Sequence, residues 1–372
     1  MHPKLYQKII RVRQKLLQLQ QRFRDRVKTF DPSGVWHPWR GKTEKVACAA
    51  ADGSFNYIKR LGFYLAGATG ASTAFPMDRP PENHYLAELD VMLAGRISEE
   101  QVISVMQTGS KIMELRALNQ AARSVPEGVL LVDGSLAGLS RNYLLDMSET
   151  RIARLARSKQ EQEEEEMIGQ QNAEVLDKLK TWAHNSETAL DNLMDKDWAA
   201  WELFQDLREM EEVLGFALAS LMMLSRMEYL KLLKAFSHRA KDAIGISKSA
   251  SDAQLNPDVP DIYLLSVATF APGYTEPQAL EIPAVPGFQP GPASFFYART
   301  EPGRPVFRVE MMSPPDQIDP EKQLAILTGL SVAGYPYPLA KAHKLCTLSF
   351  KAMEGFLGLA GGRTEPTGRE AL

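Results

Sequence analysis

The sequence predicts an α/β fold in which a mixed β-sheet is flanked by helices and interrupted by one long helical insertion. Two apolar, strand-like runs end in the same tripeptide, Asp-Gly-Ser, at residues 52–54 and 133–135. Parallel sheets present functional groups where their strands end, so a repeated acidic ending favours a site at one sheet edge. Between residues 142 and 239 glycine and proline are almost absent and apolar residues recur at helical spacing, which predicts the insertion.

The composition is typical of a globular protein and argues against several classes. The chain has 372 residues, 44% of them hydrophobic, which is enough for one large core or two smaller ones. A net charge of −3 argues against a uniformly basic nucleic-acid coat. The sequence shows neither an apolar window of membrane-spanning length nor a signal peptide, and the sparse Cys48 and Cys346 predict buried, reduced thiols. These features predict a cytoplasmic protein.

The first predicted element is an amphipathic, basic helix within residues 1–35. Its polar positions are rich in Lys and Arg, and Asp25 is the single acid among the first thirty residues. Its apolar residues recur at steps of three and four, which is the spacing of one helical face. They are Leu5, Ile9, Val12, Leu16, Leu19, Phe23, Val27 and Phe30. A helix of this kind is expected to pack against another surface.

Residues 36–141 and 240–360 are predicted to form the core that carries the sheet. In the first part, strands are predicted in the runs KVACAAADGS, NYIKRLGFYLAGATGAS and HYLAELDVML. Ser98 and Gln101 form a capping-box signature for a helix that extends to about Arg123. The run GVLLVDGSL then predicts a fully buried strand.

The second part of the core begins with strands predicted in DAIGISKSA and DIYLLSVATF. The runs SFFYART and PVFRVEMM predict a hairpin. A closing helix is predicted from about Leu339 to Leu359, and residues 361–372 are expected to be a disordered tail.

The predicted helical insertion, residues 142–239, has two distinctive segments. Its acidic run at residues 161–166 favours a solvated helix face or a disordered tip over a ligand site. Its apolar excess at residues 198–236, taken with the N-terminal helix, predicts a dimer. The methionines of this segment are expected in the core or in helix contacts, and they are Met222, Met223 and Met227.

Three acidic residues and one histidine occur along these elements in a specific order. A strand ends in Asp52, a helix carries Glu114, a second strand ends in Asp133, and the closing helix carries His343. This is the order in which the ribonuclease-H-like fold presents its metal ligands. Carboxylate oxygens suit Mg²⁺ and Mn²⁺, and two such ions about 3.5–4 Å apart can clamp the attacking and leaving oxygens of a phosphoryl displacement. We therefore predict a ribonuclease-H-like mixed sheet with Asp52, Glu114 and Asp133 as metal ligands.

Each of these residues also has a structural interpretation. Asp-Gly is ordinary turn chemistry, and a glutamate such as Glu114 is equally typical of a helix surface. His343 has apolar neighbours on its own helical face, so a buried core histidine competes with an acid or base near neutral pH. Lys248, at a predicted strand end, either steadies the nucleophile or a phosphate, or is simply solvated. The other histidines show no metal-ligand spacing, which argues against zinc.

At these residues the chain resembles the NurA family of DNA-end-processing nucleases over nearly its full length. The matching motifs are AADGS, MELRAL, LLVDGSL, IGISKSA, FRVEM and GYPYPLAKAH, of which the last is the most specific. The resemblance implies that Asp52, Glu114 and Asp133 are the metal-binding acids. It implies that Tyr335 and His343 are additional active-site residues.

The resemblance also covers a strand of the pattern Arg-Val-Glu, at Arg308 and Glu310. We leave the role of this strand open between DNA contact and structural pairing. The candidates for nucleic-acid binding are Arg308 on this strand and Lys248 elsewhere in the chain. The acidic, Met-rich insertion departs from a minimal version of the family. This departure concerns the dimer and the DNA channel that the resemblance implies, and it does not concern the metal site.

The resemblance implies a Mn²⁺- or Mg²⁺-dependent nuclease, with two ions, that resects DNA ends 5′ to 3′ and also cuts single strands. Such an enzyme acts in double-strand break repair by homologous recombination, as a homodimer docked on the hexameric ATPase HerA. A cytoplasmic, nucleoid-associated location follows from that activity. The sequence contains no GxxxxGK[ST] phosphate loop, so processive resection would need a motor in trans.

Two alternatives belong to other functional classes. A phosphotransferase of the actin-like ATPase superfamily shares the ancestral sheet, but its glycine-rich phosphate hairpin has only a weak candidate at residues 61–73. A non-catalytic DNA-binding or scaffold module of ribonuclease-H-like fold is disfavoured by the retention of three acids and His343. Fold alone does not decide between these functions.

Overall fold

The computed structural model describes residues 3–94, 97–145, 181, 184–208 and 214–360 of a mixed α/β protein. The chain divides into two compact units, which we describe separately. Unit 1 comprises Met1–Lys45, Gly245–Leu280 and Pro292–Tyr337. Unit 2 comprises Val46–Ile244, Glu281–Gly291 and Pro338–Leu372. The acidic run at 161–166 and the predicted tail at 361–372 lie outside the described residues.

Strands and helices are numbered along the chain over the described residues. The strands are β1 His37–Pro38, β2 Cys48–Arg60, β3 Phe63–Phe75, β4 Glu82–Leu93, β5 Val129–Asp133, β6 Ala243–Ser247, β7 Gly273–Tyr274, β8 Gln278–Leu280, β9 Ala293–Arg299, β10 Phe307–Met311, β11 Ser331–Val332 and β12 Tyr335–Pro336. The helices are α1 Pro3–Thr29, α2 Glu99–Ser124, α3 Leu136–Leu145, α4 Glu187–Asn192, α5 Ala199–Arg208, α6 Leu214–Ser237, α7 Asp261–Ala268, α8 Pro320–Leu330, α9 Tyr337–Cys346 and α10 Phe350–Leu359.

Unit 2 is built on four strands in the order β5-β2-β3-β4. β2 pairs in parallel with β5 and antiparallel with β3, which pairs antiparallel with β4. The single strand predicted at residues 56–72 is wrong, because the chain turns at Leu61–Gly62 and forms two strands. Gly62 has φ of +91°, a conformation that glycine adopts without steric cost and that breaks the strand.

The prediction that a strand ends at Asp52 is wrong for β2. The strand continues to Arg60, so Asp52 lies within it. Its parallel pairing with β5, however, runs only from Cys48 to Ala51. Asp52 therefore lies where the parallel pairing stops, whereas Asp133 is the last residue of β5, as predicted.

The predicted helix of unit 2 is confirmed as α2, Glu99–Ser124. The Ser98 hydroxyl accepts from the Gln101 N–H, and the Gln101 side chain accepts from the Ser98 N–H, which completes the predicted capping box. α2 packs directly on the sheet. A Cβ added to Gly70 of β3 would lie 2.5 Å from the Met113 carbonyl carbon, so glycine permits this close packing.

The described helices of the predicted insertion, α4 to α6, also belong to unit 2. Met222 and Met223 are buried, as predicted, and Met227 is half-buried. Most described apolar side chains of residues 198–236 are buried inside this unit, so this segment does not supply the spare apolar surface on which we based a dimer. Among the described residues, no helix is long and apolar enough to cross a membrane.

Unit 1 contains strands in the order β1-β7-β9-β10, followed by the part of β6 from Gly245 onward, with β8 paired to β9. The predicted hairpin is confirmed by the antiparallel pair β9–β10. The strand predicted in DIYLLSVATF is wrong, since Asp261–Ala268 form the helix α7. The buried Asp261 carboxylate accepts from the Gln254 and Leu255 N–H groups and from the Tyr297 hydroxyl, which fixes the start of the helix. A short apolar run does not distinguish a helix from a strand by its periodicity.

The predicted closing helix is interrupted, and it forms α9 and α10 instead of one helix. Thr347 donates its hydroxyl to the His343 carbonyl at 2.6 Å, which ends α9. Ser349 accepts from the Ala352 N–H and caps the start of α10. Cys48 and Cys346 are buried, and neither forms a disulfide, as predicted.

Candidate metal centre

The sheet of unit 2 places Asp52 and Asp133 at adjacent positions on neighbouring parallel strands. Ala51 pairs with Val132, so the next residue along each strand is an aspartate. The Asp52 side chain is 14% exposed, and its Oδ1 accepts from the Gly53 N–H at 2.8 Å. The sheet thus presents two carboxylates together, as the repeated tripeptide predicted.

Glycine follows the aspartate for a different structural reason in each of the two Asp-Gly pairs. Gly134 has φ of +104°, so the second pair is also a turn, in agreement with the structural interpretation. Gly53 is not among the described glycines with positive φ. A Cβ at Gly53 would lie 2.5 Å from the Ser110 carbonyl oxygen and 3.1 Å from the Glu114 Cβ. Gly53 is therefore required for the close approach of α2, and the turn interpretation is wrong for the first pair.

α2 carries Glu114 against this part of β2. Burial, followed by the negative charges of Asp52 and Asp133, raises the pKa of Glu114 well above its usual value, and Lys111 opposes the shift weakly. Glu114 is half-buried and its Cβ lies against Gly53 of β2, so the interpretation as an ordinary surface glutamate is wrong. The three predicted ligands lie close enough for their charges to interact.

His343 of α9 contacts the same aspartate. Its Nδ1 lies 2.6 Å from Asp52 Oδ2, and its side chain is 66% exposed. The alternative of a buried core histidine is therefore wrong. The buried stripe of α9 runs through Leu339, Ala342 and Cys346, and His343 lies one position beside it. The imidazole is held by a carboxylate on one side and remains open to solvent.

Strands β2 and β3 also hold the junction that follows His343. Asn56 Nδ2 donates to the Leu348 carbonyl at 2.8 Å, and Thr69 Oγ1 donates to the Cys346 carbonyl at 2.5 Å. Asn56 lies on the same face of β2 as Asp52, since alternate residues of a strand share a face. The strand that carries Asp52 therefore also fixes the helix that carries His343.

The sequence prediction missed the proximity of Cys346 to these groups. Ligand atoms of Asp52, His343 and Cys346 all lie within 4.8 Å of one another. Burial, then the charges of Asp52 and Glu114, raises the pKa of the Cys346 thiol, so it stays protonated near neutral pH. A protonated thiol is a poor ligand for a hard ion. The available signal was spacing, because His343 and Cys346 are three residues apart on one helix.

The donor set of this centre suits a hard divalent cation. The negative charges of Asp52 and Asp133 add to the effect of burial in raising the pKa of Glu114, and a bound cation would oppose both effects. Carboxylate oxygens and imidazole nitrogen are ligands of Mn²⁺, and carboxylates suit Mg²⁺. The residues present therefore fit the predicted metal.

The other predicted site residues belong to unit 1. Lys248 follows β6 and is exposed, and its Nζ lies 4.2 Å from the centre of the Tyr335 ring. Tyr335 begins β12, directly after a tight turn in which Ala333 and Gly334 have φ of 55° and 81°. Lys248 and Tyr335 thus form a cation–π pair, which was not predicted.

Arg308 and Glu310 lie on β10 and are both buried. Arg308 forms ion pairs with Asp252 and with Glu310, the latter at 3.2 Å, and its guanidinium lies 4.0 Å from the centre of the Phe295 ring. These contacts match the structural pairing that we considered for the Arg-Val-Glu strand.

The role of Gly53 gives a stability prediction. Gly53→Ala is expected to lower the free energy of unfolding by about 1–3 kcal/mol, because the new methyl group overlaps backbone atoms of α2. Gly355→Ala is the matched control, since Gly355 lies in α10 with nothing within 4 Å of the added Cβ. That change should be neutral or stabilise by up to about 1 kcal/mol. Urea denaturation measures both values, and equal effects of the two changes would contradict the close approach.

Comparisons with known proteins agree on one family. The family model described as the NurA domain matches residues 46–347. The DNA double-strand break repair nuclease NurA of Saccharolobus solfataricus is 27% identical over 152 residues, which is 38% of this chain and 44% of that protein. The alignment thus spans less than half the length of this relative.

Solved structures are similar over almost the whole chain. The NurA nuclease from Sulfolobus solfataricus has a TM-score of 0.61 at 19% identity, with 97% of each chain covered. A crystal structure of NurA bound to dAMP and manganese has a TM-score of 0.60 at 17% identity, with 98% of each chain covered. At these identities the similarity shows the fold.

Proposed function

Because the chain belongs to the NurA family, we propose that it is a metal-dependent DNA nuclease that acts in DNA end processing and double-strand break repair. The observation that carries the proposal is the cluster of Asp52, Glu114 and Asp133 with His343 directly on Asp52. The curated relative is a double-strand break repair nuclease, and a related structure holds dAMP and manganese, which supports both the substrate and the metal.

In this proposal the three carboxylates hold Mn²⁺ or Mg²⁺, with two ions as the expected number. The ions would polarise the phosphate and lower the pKa of a bound water. The protein positions the acids through rigid elements, since two of them lie on paired strands and the third on a helix packed against Gly53. This rigidity keeps the carboxylates in place when DNA is absent.

His343 is proposed to move a proton. Its Nδ1 is held by Asp52, which fixes the orientation of the ring, so Nε2 is the atom that would accept or donate a proton. The exposure of the side chain allows a substrate to reach it. Lys248 is proposed to neutralise phosphate charge, with Tyr335 holding the ammonium group by its ring. For Arg308 we propose a structural role, because two carboxylates already engage it.

The finer activities are also proposals. They are 5′ to 3′ exonuclease and single-strand endonuclease activity by a homodimer that works with a HerA-type hexameric ATPase. The sequence has no phosphate loop of its own, which supports a motor in trans. A ribonuclease-H-like core is supported by the antiparallel strands β2, β3 and β4 followed by α2 and by β5, parallel to β2.

One assay distinguishes this function from the two alternatives. The purified chain is incubated with end-labelled linear DNA, ATP and Mn²⁺, with EDTA as the control, and DNA binding, DNA cleavage and ATP hydrolysis are each measured. The proposal expects cleavage in Mn²⁺ that EDTA stops. DNA binding without cleavage would favour the scaffold, and nucleotide hydrolysis without cleavage would favour the phosphotransferase.

His343→Ala is expected to lower the cleavage rate by about 100-fold, because a positioned acid or base is lost. The loss should be smaller than for a metal ligand, since water can partly replace a proton carrier. The melting temperature should not change, because the side chain is 66% exposed. His238→Ala, at another exposed histidine, is the matched control and should leave the rate unchanged. A His343→Ala variant with full activity would show that this histidine carries no proton.

A further inference from the structure

Helix α1 presents a strongly basic surface to solvent. Its sequence holds nine Lys or Arg residues against the single acid Asp25. That acid is itself engaged, since Asp25 Oδ1 accepts from Gln21 Nε2 at 2.8 Å. The helix is therefore a concentrated positive charge on a chain whose net charge is −3. A surface of this kind fits a polyanion.

The C-terminal part of α1 is fixed within unit 1. Phe23 packs on Tyr263 of α7 with ring centres 5.6 Å apart, and Arg26 forms an ion pair with Asp258 at 2.8 Å. Towards the N-terminus the described side chains are exposed. The helix is thus attached to unit 1 by its C-terminal part, and a ligand that bound its exposed residues would be held on unit 1.

Three of the basic residues of α1 form a row. Lys8, Lys15 and Arg22 are all exposed and are spaced by seven residues, which is two helical turns. They therefore share one face at intervals of about 10 Å. The apolar positions of α1 lie on the same helical face as Phe23, which packs on α7. The basic row lies on a different side of the helix from this apolar face. A regular row of cations suits the regular charges of a nucleic-acid backbone.

We propose that this row, defined as Lys8, Lys15 and Arg22, binds the phosphate backbone of DNA outside the candidate metal centre. The proposal rests on the proposed function for the identity of the polyanion. Lys and Arg contacts to phosphates position a duplex without reading its sequence. The row would therefore hold DNA of any sequence.

The test measures DNA binding without cleavage, in EDTA, as a function of salt. Lys8→Gln, Lys15→Gln and Arg22→Gln are combined in one variant, since Gln removes the charge and keeps helix propensity. The matched control combines Arg13→Gln, Arg24→Gln and Lys28→Gln, three exposed residues that share another side of α1. Circular dichroism checks that both variants keep their helix content.

The row variant is expected to bind duplex DNA about 10- to 100-fold more weakly at 0.1 M salt, with a slope of log Kd against log salt lower by about 2–3. The control variant should retain most of the wild-type affinity for duplex DNA and most of the wild-type salt slope. Equal losses in the two variants, or no loss in the row variant, would overturn the proposal. Binding of the same proteins to anionic vesicles is measured as well. If the row variant loses as much affinity for vesicles as for DNA, the proposal is overturned in favour of a membrane surface.

Failure of the proposed function gives a different result. The wild-type chain is assayed with Mn²⁺ on a short oligonucleotide at saturating concentration. If the wild-type chain does not cleave, the nuclease proposal fails, and the binding comparison still decides whether the row holds DNA.

Discussion

Asp52→Asn and Asp133→Asn should each lower Mn²⁺-dependent DNA cleavage by more than about 1,000-fold while the fold is kept. Each change preserves the size of the side chain and removes the negative charge that holds a divalent cation. Loss of metal ion catalysis removes several kcal/mol of transition-state stabilisation, which is the origin of that factor. The two aspartates occupy adjacent positions on β2 and β5, so the effects should be of similar size.

The measurement is the initial rate of release of labelled nucleotide from linear DNA, with the melting temperature of each variant. Asp316→Asn is a matched control, because it makes the same change at an exposed position of unit 1. Its rate should equal that of the wild type. Appreciable cleavage by either site variant would remove the aspartates from the metal centre. A large fall in melting temperature would instead indicate a structural role.

Glu228→Ala should cause the largest loss of stability, about 3–5 kcal/mol. Glu228 of α6 is fully buried and forms an ion pair with Arg116 of α2. It also accepts from the Ala199 and Ala200 N–H groups at 3.2 and 2.8 Å. Truncation would leave a buried guanidinium charge and two backbone donors without these partners, and each of these is costly.

Urea denaturation measures this loss. Glu202→Ala is the control, since Glu202 is an exposed glutamate on the neighbouring helix α5, and its replacement should change stability by less than about 0.5 kcal/mol. The double variant Arg116→Met with Glu228→Leu should recover much of the loss, because an apolar pair carries no unpaired charge. A cost below about 1 kcal/mol for Glu228→Ala would show that the pair does not stabilise the contact between α2 and α6.

Local signals in the sequence were sufficient for several elements. The capping box at Ser98 and Gln101 predicted the start of α2, and helical periodicity predicted α1. The apolar and aromatic runs SFFYART and PVFRVEMM predicted the hairpin β9–β10. For the site, the repeated Asp-Gly-Ser and the order of the acids predicted that Asp52 and Asp133 lie together. These features depend on residues close in the sequence or on a regular strand arrangement.

The features that were missed depend on contacts between distant residues. α7 forms a helix because Asp261 is held by Tyr297 of β9 and by backbone groups of the preceding loop. The break between α9 and α10 is held in part by Asn56 of β2. The exposure of His343 depends on which side of α9 faces the sheet, and its apolar neighbours on the same helical face did not determine it. No local pattern carries this information.

The central claim is that Asp52, Glu114 and Asp133 form one metal centre. The most direct test is titration of the purified chain with Mn²⁺, in which electron paramagnetic resonance measures the free ion. The wild type is expected to bind Mn²⁺ at a site that Asp52→Asn and Asp133→Asn each weaken by at least about 100-fold, whereas Asp316→Asn binds as the wild type does. Equal Mn²⁺ affinity in all four proteins would contradict the claim.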